Sequence, residues 1–144
     1  MRFIFLFTMI LFTHTWAQAK GLIIAPETET SSGCDLENVG FTEKESFLLF
    51  FPLLLKAAQS NDPSKMAPLI HYPLKVNGIK TYQINTPKEF EQKYKLIFHP
   101  KILAILVDQK MDKLFCQYQG IMYGNGEIWV NKKNGKLGIT AINP

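Results

Sequence analysis

The alternation of apolar and polar positions predicts that the chain after residue 40 begins with a long amphipathic helix. Apolar residues recur at helical spacing over residues 47–58 and form a wide apolar face. Residues 42–45 (Thr-Glu-Lys-Glu) form a capping box at its start. Pro52 lies within this pattern and predicts a kink, because proline removes one backbone hydrogen bond.

Three shorter helices are predicted next. Asp62 is a good N-cap and Pro63 suits a first helical position, so a second helix is expected to run to about His71. Residues 86–89 (Thr-Pro-Lys-Glu) form another capping box, before a helix whose apolar face carries Phe90, Tyr94, Ile97 and Phe98. Residues 101–110 predict a fourth helix, which His99 and Pro100 separate from the third.

The remaining segments alternate with a period of two and predict strands. Asn77 and Gly78 are expected to form a two-residue hairpin turn between residues 74–76 and 79–84. Four further strands are expected over residues 114–118, 119–123, 127–131 and 137–142, with Gly120 as a bulge and a turn at Asn134 and Gly135. Helices followed by antiparallel strands predict an α+β fold, with a cone-like curved antiparallel sheet packed on three to four N-terminal and central helices.

The N-terminus has the pattern of a cleavable signal peptide over residues 1–19. Arg2 precedes an apolar run over residues 3–12, and an Ala-Gln-Ala site precedes Lys20. Ten residues are too few for a membrane-spanning helix, which needs roughly 20. The mature chain is therefore expected to have an N-terminal arm over residues 20–40, a domain over residues 41–144 and no stable membrane anchor. A lipidation site at Cys34 is disfavoured because the apolar run ends far upstream.

The charge pattern argues against a nucleic-acid partner. Removing the leader takes Arg2 from the 16 basic residues, which leaves 15 basic against 12 acidic residues and a net charge of +3. The lysines are scattered, and Lys132 and Lys133 are the one adjacent pair. Nucleic-acid binding requires a dense basic stripe, so solvated lysines on a periplasmic or secreted protein are the preferred interpretation.

Two cysteines, Cys34 and Cys116, lie in the mature chain. An even pair in an exported protein is most often oxidised, and no Cys-x-x-Cys spacing suggests a redox site. We therefore expect a structural disulfide that ties the N-terminal arm to the sheet, with a reactive thiol as the alternative.

Several motifs resemble the nuclear transport factor 2-like superfamily. The resemblance covers about residues 41–143. It rests on the order of the elements, on the Ile-His-Tyr-Pro-Leu segment at residues 70–74 that leaves the second helix, and on the helix that follows Thr86. Residues 120–129 (GIMYGNGEIW) also look like those of secreted bacterial members of uncharacterised role. It implies a bent sheet wrapped around helices with a pocket at its open end. Members include enzymes, small-molecule binders and interaction modules, so the fold does not select a function.

The sequence contains no recognisable catalytic set. His71 and His99 each lie near a proline at a predicted helix end, where an imidazole can bond the last carbonyls. No histidine spacing or carboxylate cluster indicates a metal, and no cofactor motif occurs. No serine has an evident base partner, and no aspartate or glutamate matches a catalytic motif.

Aromatic residues are the remaining candidates for a ligand pocket, because tyrosine and tryptophan combine an apolar body with a polar tip. With one histidine, the candidate binding residues are His71, Tyr72, Tyr82, Phe90, Tyr94, Tyr118 and Trp129. Tyr123 has the same character. The competing interpretation is that these side chains belong to the core.

The sequence therefore favours an exported, non-enzymatic binding module over an enzyme. Its partner would be a small molecule, a cell-wall fragment or a protein, and an immunity-type inhibitor of an exported partner is one version. The first alternative is a small hydrolase or isomerase with His71, Tyr72 or Glu127 as its acid or base. The second is a homodimer that uses the outer face of the sheet near Trp129.

Overall fold

A computed structural model describes Cys34 and residues 44–144. The predicted leader, most of the arm and the first two residues of the capping box, 42 and 43, lie outside the described residues. Four α-helices are present, namely α1 (Lys44–Ser60), α2 (Pro63–Met66), α3 (Pro87–Ile97) and α4 (Pro100–Asp108). Short 3₁₀ turns follow α2 at Ala67–Leu69 and α4 at Met111–Lys113.

The predicted caps begin α2 and α3. The Ser64 amide donates to the Asp62 carboxylate at 2.9 Å, and the Glu89 amide donates to the Thr86 hydroxyl at 3.2 Å. The Glu89 carboxylate reaches back to the amide of Asn85 at 2.9 Å, one residue before the usual position of a capping box. These contacts satisfy amides that a helix leaves without intrahelical partners.

Six strands form one open, curved sheet in the order β2-β1-β6-β5-β4-β3. Their bounds are β1 (Ile70–Asn77), β2 (Thr81–Ile84), β3 (Phe115–Gln117), β4 (Gly120–Tyr123), β5 (Ile128–Lys133) and β6 (Lys136–Ile142). Helices precede and cover the sheet, so the predicted α+β class is confirmed.

The sheet is mixed, whereas the sequence predicted antiparallel strands throughout. Four strand pairs are antiparallel, but β1 and β6 run parallel, with Val76 opposite Ile142. Hairpin turns force antiparallel pairing between neighbours in the chain, while a long connection through helices also permits a parallel pair. The parallel pair places the β5–β6 hairpin beside the start of β1.

Three local predictions are wrong. The second helix ends at Met66 and its 3₁₀ extension at Leu69, so His71 lies in strand β1 and does not cap a helix. The β1–β2 connection is a three-residue loop, Gly78 to Lys80, because Asn77 pairs with Thr81. Gly120 is paired regularly with Gln117, so it forms no bulge.

Gly120 is required for a different reason than the predicted bulge. Its φ of +126° strains any other residue, and an added Cβ would lie 2.6 Å from the carbonyl oxygen of Val130. The glycine therefore permits β5 to approach β4 closely.

The core lies between the helices and one face of the sheet. Among its members, Leu54 of α1, Phe90 of α3, Ile102 of α4 and Val130 of β5 are all at most 1% exposed. Register and alternation then place Trp129, Asn131 and Lys133 on the opposite, outer face. Lys133 also lines the site described next.

Candidate binding groove

A groove of about 520 Å³ lies between β1 and the β5–β6 hairpin. Its described lining residues are His71 and Tyr72 from β1 and Lys133, Asn134 and Lys136 from the hairpin. The parallel pairing of β1 with β6 brings these two segments together although they are far apart in sequence.

The hairpin places two lysines directly opposite each other. Lys133 and Lys136 are cross-strand partners at the ends of β5 and β6. The predicted turn between them is confirmed, with φ of 51° at Asn134 and 77° at Gly135, as a two-residue hairpin turn requires. Opposed side chains have Cβ atoms about 5 Å apart, so the two lysine side chains leave the hairpin from adjacent positions.

His71 is held in place by two neighbours. Its Nε2 lies 3.0 Å from the carbonyl oxygen of Lys136. A carbonyl only accepts, so Nε2 carries the hydrogen and Nδ1 keeps a lone pair in the neutral ring. The ring also fills the space beside Gly138, since a Cβ there would lie 2.7 Å from the imidazole Cδ2. The contact fixes the orientation of the imidazole at the groove.

The groove is cationic. None of its described lining residues is acidic. Lys133 donates to the carbonyl oxygen of Tyr72 at 3.4 Å. The ion pairs found among the described residues join Lys65 to Asp62 and Lys93 to Glu89, both away from the groove. The ammonium groups of Lys133 and Lys136 are therefore uncompensated by any described carboxylate.

Tyr72 connects the groove to the interior. Its ring contacts the edge of Phe90, with centroids 6.4 Å apart, and its hydroxyl donates to the Ala67 carbonyl at 3.3 Å. Burial, with a smaller contribution from the negative charge of Glu91, raises the pKa of Tyr72 to about 12. Its phenol is therefore neutral at physiological pH, and Tyr72 is one of the residues that line the groove.

The structure brings together some of the predicted aromatic residues and separates others. Phe90 and Tyr94 pack against each other with centroids 5.7 Å apart, and with Tyr72 and Phe98 they form one buried cluster. Tyr82 lies on the edge strand β2 beneath the Lys93 ammonium, 5.4 Å from its ring centroid. Tyr118 is 83% exposed near the β3–β4 turn.

Trp129 lies on the outer face, in a cross-strand row with Met122 and Phe115. Its indole nitrogen donates to the Gly126 carbonyl at 3.1 Å, and it is partly buried. Phe115 at the end of the row is 48% exposed. This apolar row lies at the opposite end of β5 from Lys133.

Two buried tyrosine hydroxyls, those of Tyr94 and Tyr123, have no hydrogen-bond partner. Burial raises the pKa of both phenols. Tyr123 stacks on Phe51 of α1 with ring centroids 6.0 Å apart. These tyrosines therefore act as core aromatics in the described structure.

The sulfur atoms of Cys34 and Cys116 lie at disulfide-bonding distance, with Cα atoms 4.5 Å apart, as the sequence predicted. Cys34 is also buried in the core cluster. The pair ties the one described residue of the arm to strand β3.

The sequence interpretation missed three groove residues, Lys133, Asn134 and Lys136. The signal was present in the segment Lys-Lys-Asn-Gly-Lys, residues 132–136, where lysines flank a two-residue turn. Pairing across such a turn places Lys133 opposite Lys136, so the scattered lysines are locally concentrated in space.

No protein-family model matches the chain, and no curated protein matches it. Among residues 44–144, none of the helices combines the length and the apolar character needed to cross a bilayer. Within the same described part of the chain, no group of three or more potential metal ligands occurs.

Proposed function

We propose that this protein is an exported, non-enzymatic binding module that holds its ligand in the groove between β1 and the β5–β6 hairpin. One observation carries the proposal: Lys133 and Lys136, whose ammonium groups form no ion pair with a described carboxylate, line a concave surface beside His71, and the described lining has no acidic residue. Uncompensated donors in a cleft are typical of a binding site, because a ligand supplies the missing acceptors.

The hydrogen bonds of the groove support binding rather than acid–base catalysis. An acid or base must reach a second reacting group, and catalytic pairs usually lie within hydrogen-bond reach of each other. The His71 Nε2 atom instead donates to a backbone carbonyl of Lys136. Lys133 likewise donates to a backbone carbonyl, that of Tyr72. These two bonds fix the positions of the His71 ring and the Lys133 ammonium group.

Export and family membership are also part of the proposal. The leader pattern over residues 1–19 and the Cys34–Cys116 pair both suit an oxidising compartment, the periplasm or the medium. Helices that precede a curved sheet support placement in the nuclear transport factor 2-like superfamily.

Native mass spectrometry of the protein isolated gently from the exported fraction tests the proposal. We expect a noncovalent ligand on the wild-type protein and its loss from the double variant Lys133→Gln/Lys136→Gln. The matched control is Lys95→Gln/Lys101→Gln, which removes the same charge from exposed positions on α3 and α4. A wild-type protein without ligand, or a ligand that survives the groove substitutions, contradicts the proposal.

A further inference from the structure

We infer that the groove binds a dianionic tetrahedral group, a phosphate monoester, carried on a small organic body. The inference rests on the proposed function, since it names the ligand class of the same site. It follows from the number of charges, the number of free donors and the size of the groove.

The two opposed lysines are the first argument. Like charges directly opposite each other on a hairpin are destabilising. Lys133 and Lys136 form such a pair, and no described carboxylate of the groove compensates them. A local rule of stability that is broken without compensation indicates a functional requirement. An anion between the two ammonium groups removes the repulsion.

The number of donors favours a dianion over a carboxylate. Each ammonium carries three N–H donors. Lys133 uses one on the Tyr72 carbonyl, so two remain, and Lys136 has no described side-chain partner. A phosphate monoester offers three terminal acceptor oxygens and close to two negative charges, which matches two lysines, whereas a carboxylate offers one charge. Asn134 adds a neutral amide at the same rim.

The size of the groove indicates a ligand that is larger than the anionic group alone. Pockets for small organic molecules span roughly 300–1,000 Å³. The groove, at about 520 Å³, falls within that range. The lysines lie on the hairpin side, and His71 and Tyr72 line the β1 side. This arrangement suits an ester whose charged group contacts the hairpin while its organic part contacts the β1 side at His71 and Tyr72.

Isothermal titration calorimetry with four probes tests the inference on the mature protein. Glucose 6-phosphate, glucuronate and glucose share one body but carry a dianion, a monoanion and no charge. Inorganic phosphate carries the anion alone. We expect glucose 6-phosphate to bind about tenfold or more tightly than glucuronate and inorganic phosphate, and glucose not to bind. Higher salt should weaken the interaction, because the groove is exposed.

Variants and vesicles complete the test. Lys133→Gln/Lys136→Gln should weaken glucose 6-phosphate binding about tenfold or more, whereas Lys95→Gln/Lys101→Gln should leave it unchanged. Cosedimentation with phosphatidic acid in phosphatidylcholine vesicles, absent for phosphatidylcholine alone, would assign the phosphate to a lipid headgroup. Binding of glucose 6-phosphate without cosedimentation would assign it to a soluble ester, and both outcomes support the inference.

The inference is overturned if glucose or glucuronate binds as tightly as glucose 6-phosphate. It is also overturned if neither glucose 6-phosphate nor phosphatidic acid binds. The proposed function is tested independently of these outcomes. It depends on whether native mass spectra show a retained ligand that is lost when Lys133 and Lys136 are substituted.

Discussion

The imidazole of His71 occupies the space into which a side chain at residue 138 would project. An ideal Cβ on Gly138 would lie 2.7–2.9 Å from three atoms of the ring, a separation that real Cβ atoms essentially never show. Gly138 lies in β6 and His71 in β1, so the contact depends on the parallel pairing of these strands. It positions the single histidine of the groove.

Gly138→Ala is expected to displace His71 from the groove. Overpacking of this kind typically costs about 1–3 kcal/mol. The variant should therefore unfold at lower denaturant concentration and show shifted imidazole resonances for His71. Chemical denaturation and histidine-detected NMR measure the two effects.

Gly78→Ala is the matched control for this substitution. Its new Cβ would meet only the Lys80 carbonyl oxygen, at 3.9 Å, and Gly78 does not have a positive φ. We expect its stability to be unchanged or raised by a few tenths of a kcal/mol. Equal effects of the two substitutions would contradict a specific role for Gly138.

Removal of the Tyr123 hydroxyl should be neutral or stabilising. The Tyr123 Oη atom is buried without a partner, and a buried hydroxyl without a hydrogen bond costs about 1–3 kcal/mol. Tyr123→Phe should therefore raise the free energy of unfolding by up to about 1 kcal/mol in a denaturant titration, since the ring and its stacking on Phe51 remain.

Tyr72→Phe removes a hydroxyl that has a hydrogen-bond partner, in contrast to Tyr123→Phe. The Tyr72 hydroxyl donates to the Ala67 carbonyl, and its loss should cost about 0.5–1.5 kcal/mol. If Tyr123→Phe destabilises the protein as much as Tyr72→Phe does, the Tyr123 hydroxyl has a hydrogen-bond partner and our account of it is wrong.

The protein should lose stability in alkali before its buried tyrosines ionise. The pKa of Tyr72 is raised to about 12 by burial, and burial also raises the pKa of Tyr94 and Tyr123. The unfolded chain loses these protons near pH 10, while the folded protein keeps them. The stabilisation is thus fully present below pH 10 and is lost as pH rises towards 12.

Absorbance at 295 nm and urea titrations at successive pH values check this behaviour. We expect part of the phenolate signal to appear only as the protein unfolds, together with a falling free energy of unfolding above pH 10. Ionisation of every tyrosine near pH 10 with no change in stability would contradict the burial of Tyr72, Tyr94 and Tyr123.

Reduction of the Cys34–Cys116 pair should destabilise the fold. The two residues are separated by 82 positions, and closing a long loop stabilises a protein by about 2–4 kcal/mol. Denaturant titrations with and without dithiothreitol measure the difference. The variant Cys34→Ser/Cys116→Ser should be insensitive to the reductant, and an equal response of wild type and variant would refute a structural disulfide.

Leu53 and Leu54 are neighbours on α1 with opposite environments. Leu54 is 1% exposed and Leu53 is 55% exposed. Leu54→Ala should cost about 2–5 kcal/mol, because it leaves a cavity in the core. Leu53→Ala should change stability by about 0.5 kcal/mol or less. Similar losses for both substitutions would contradict the orientation of this helix.

Local sequence signals predicted the helices and most of the hairpins. The cap at Asp62, the capping box that begins at Thr86 and the turn at Asn134 and Gly135 each act over a few residues. Such signals depend on side-chain and backbone chemistry that is written directly in the sequence. The strands between them followed from alternation.

The pairing of strands that are far apart in the sequence could not be predicted from local signals. No turn connects β1 to β6, so nothing local specifies that Val76 lies opposite Ile142 or that these strands are parallel. The same limit explains the error at His71, because local signals alone extend the second predicted helix to about that residue. Pairing with β6 instead places Ile70 and the following residues in a strand.

The candidate site was predicted only in part for the same reason. His71 and Tyr72 were selected from the sequence, and both line the groove. Lys133 and Lys136 were interpreted as solvated charges, because their proximity to His71 requires the β1–β6 pair. The aromatic residues were selected because of their residue type and not because of their position. Tyr118 and Trp129 lie away from the Tyr72 cluster.

A backbone NMR titration of the protein with glucose 6-phosphate tests the central claim most directly. The account predicts chemical-shift changes concentrated at residues 71–72 and 133–138, with little change at Tyr94 or Tyr118. Changes centred on the buried Tyr94 cluster, or on the Trp129 row, would contradict the groove as the binding site.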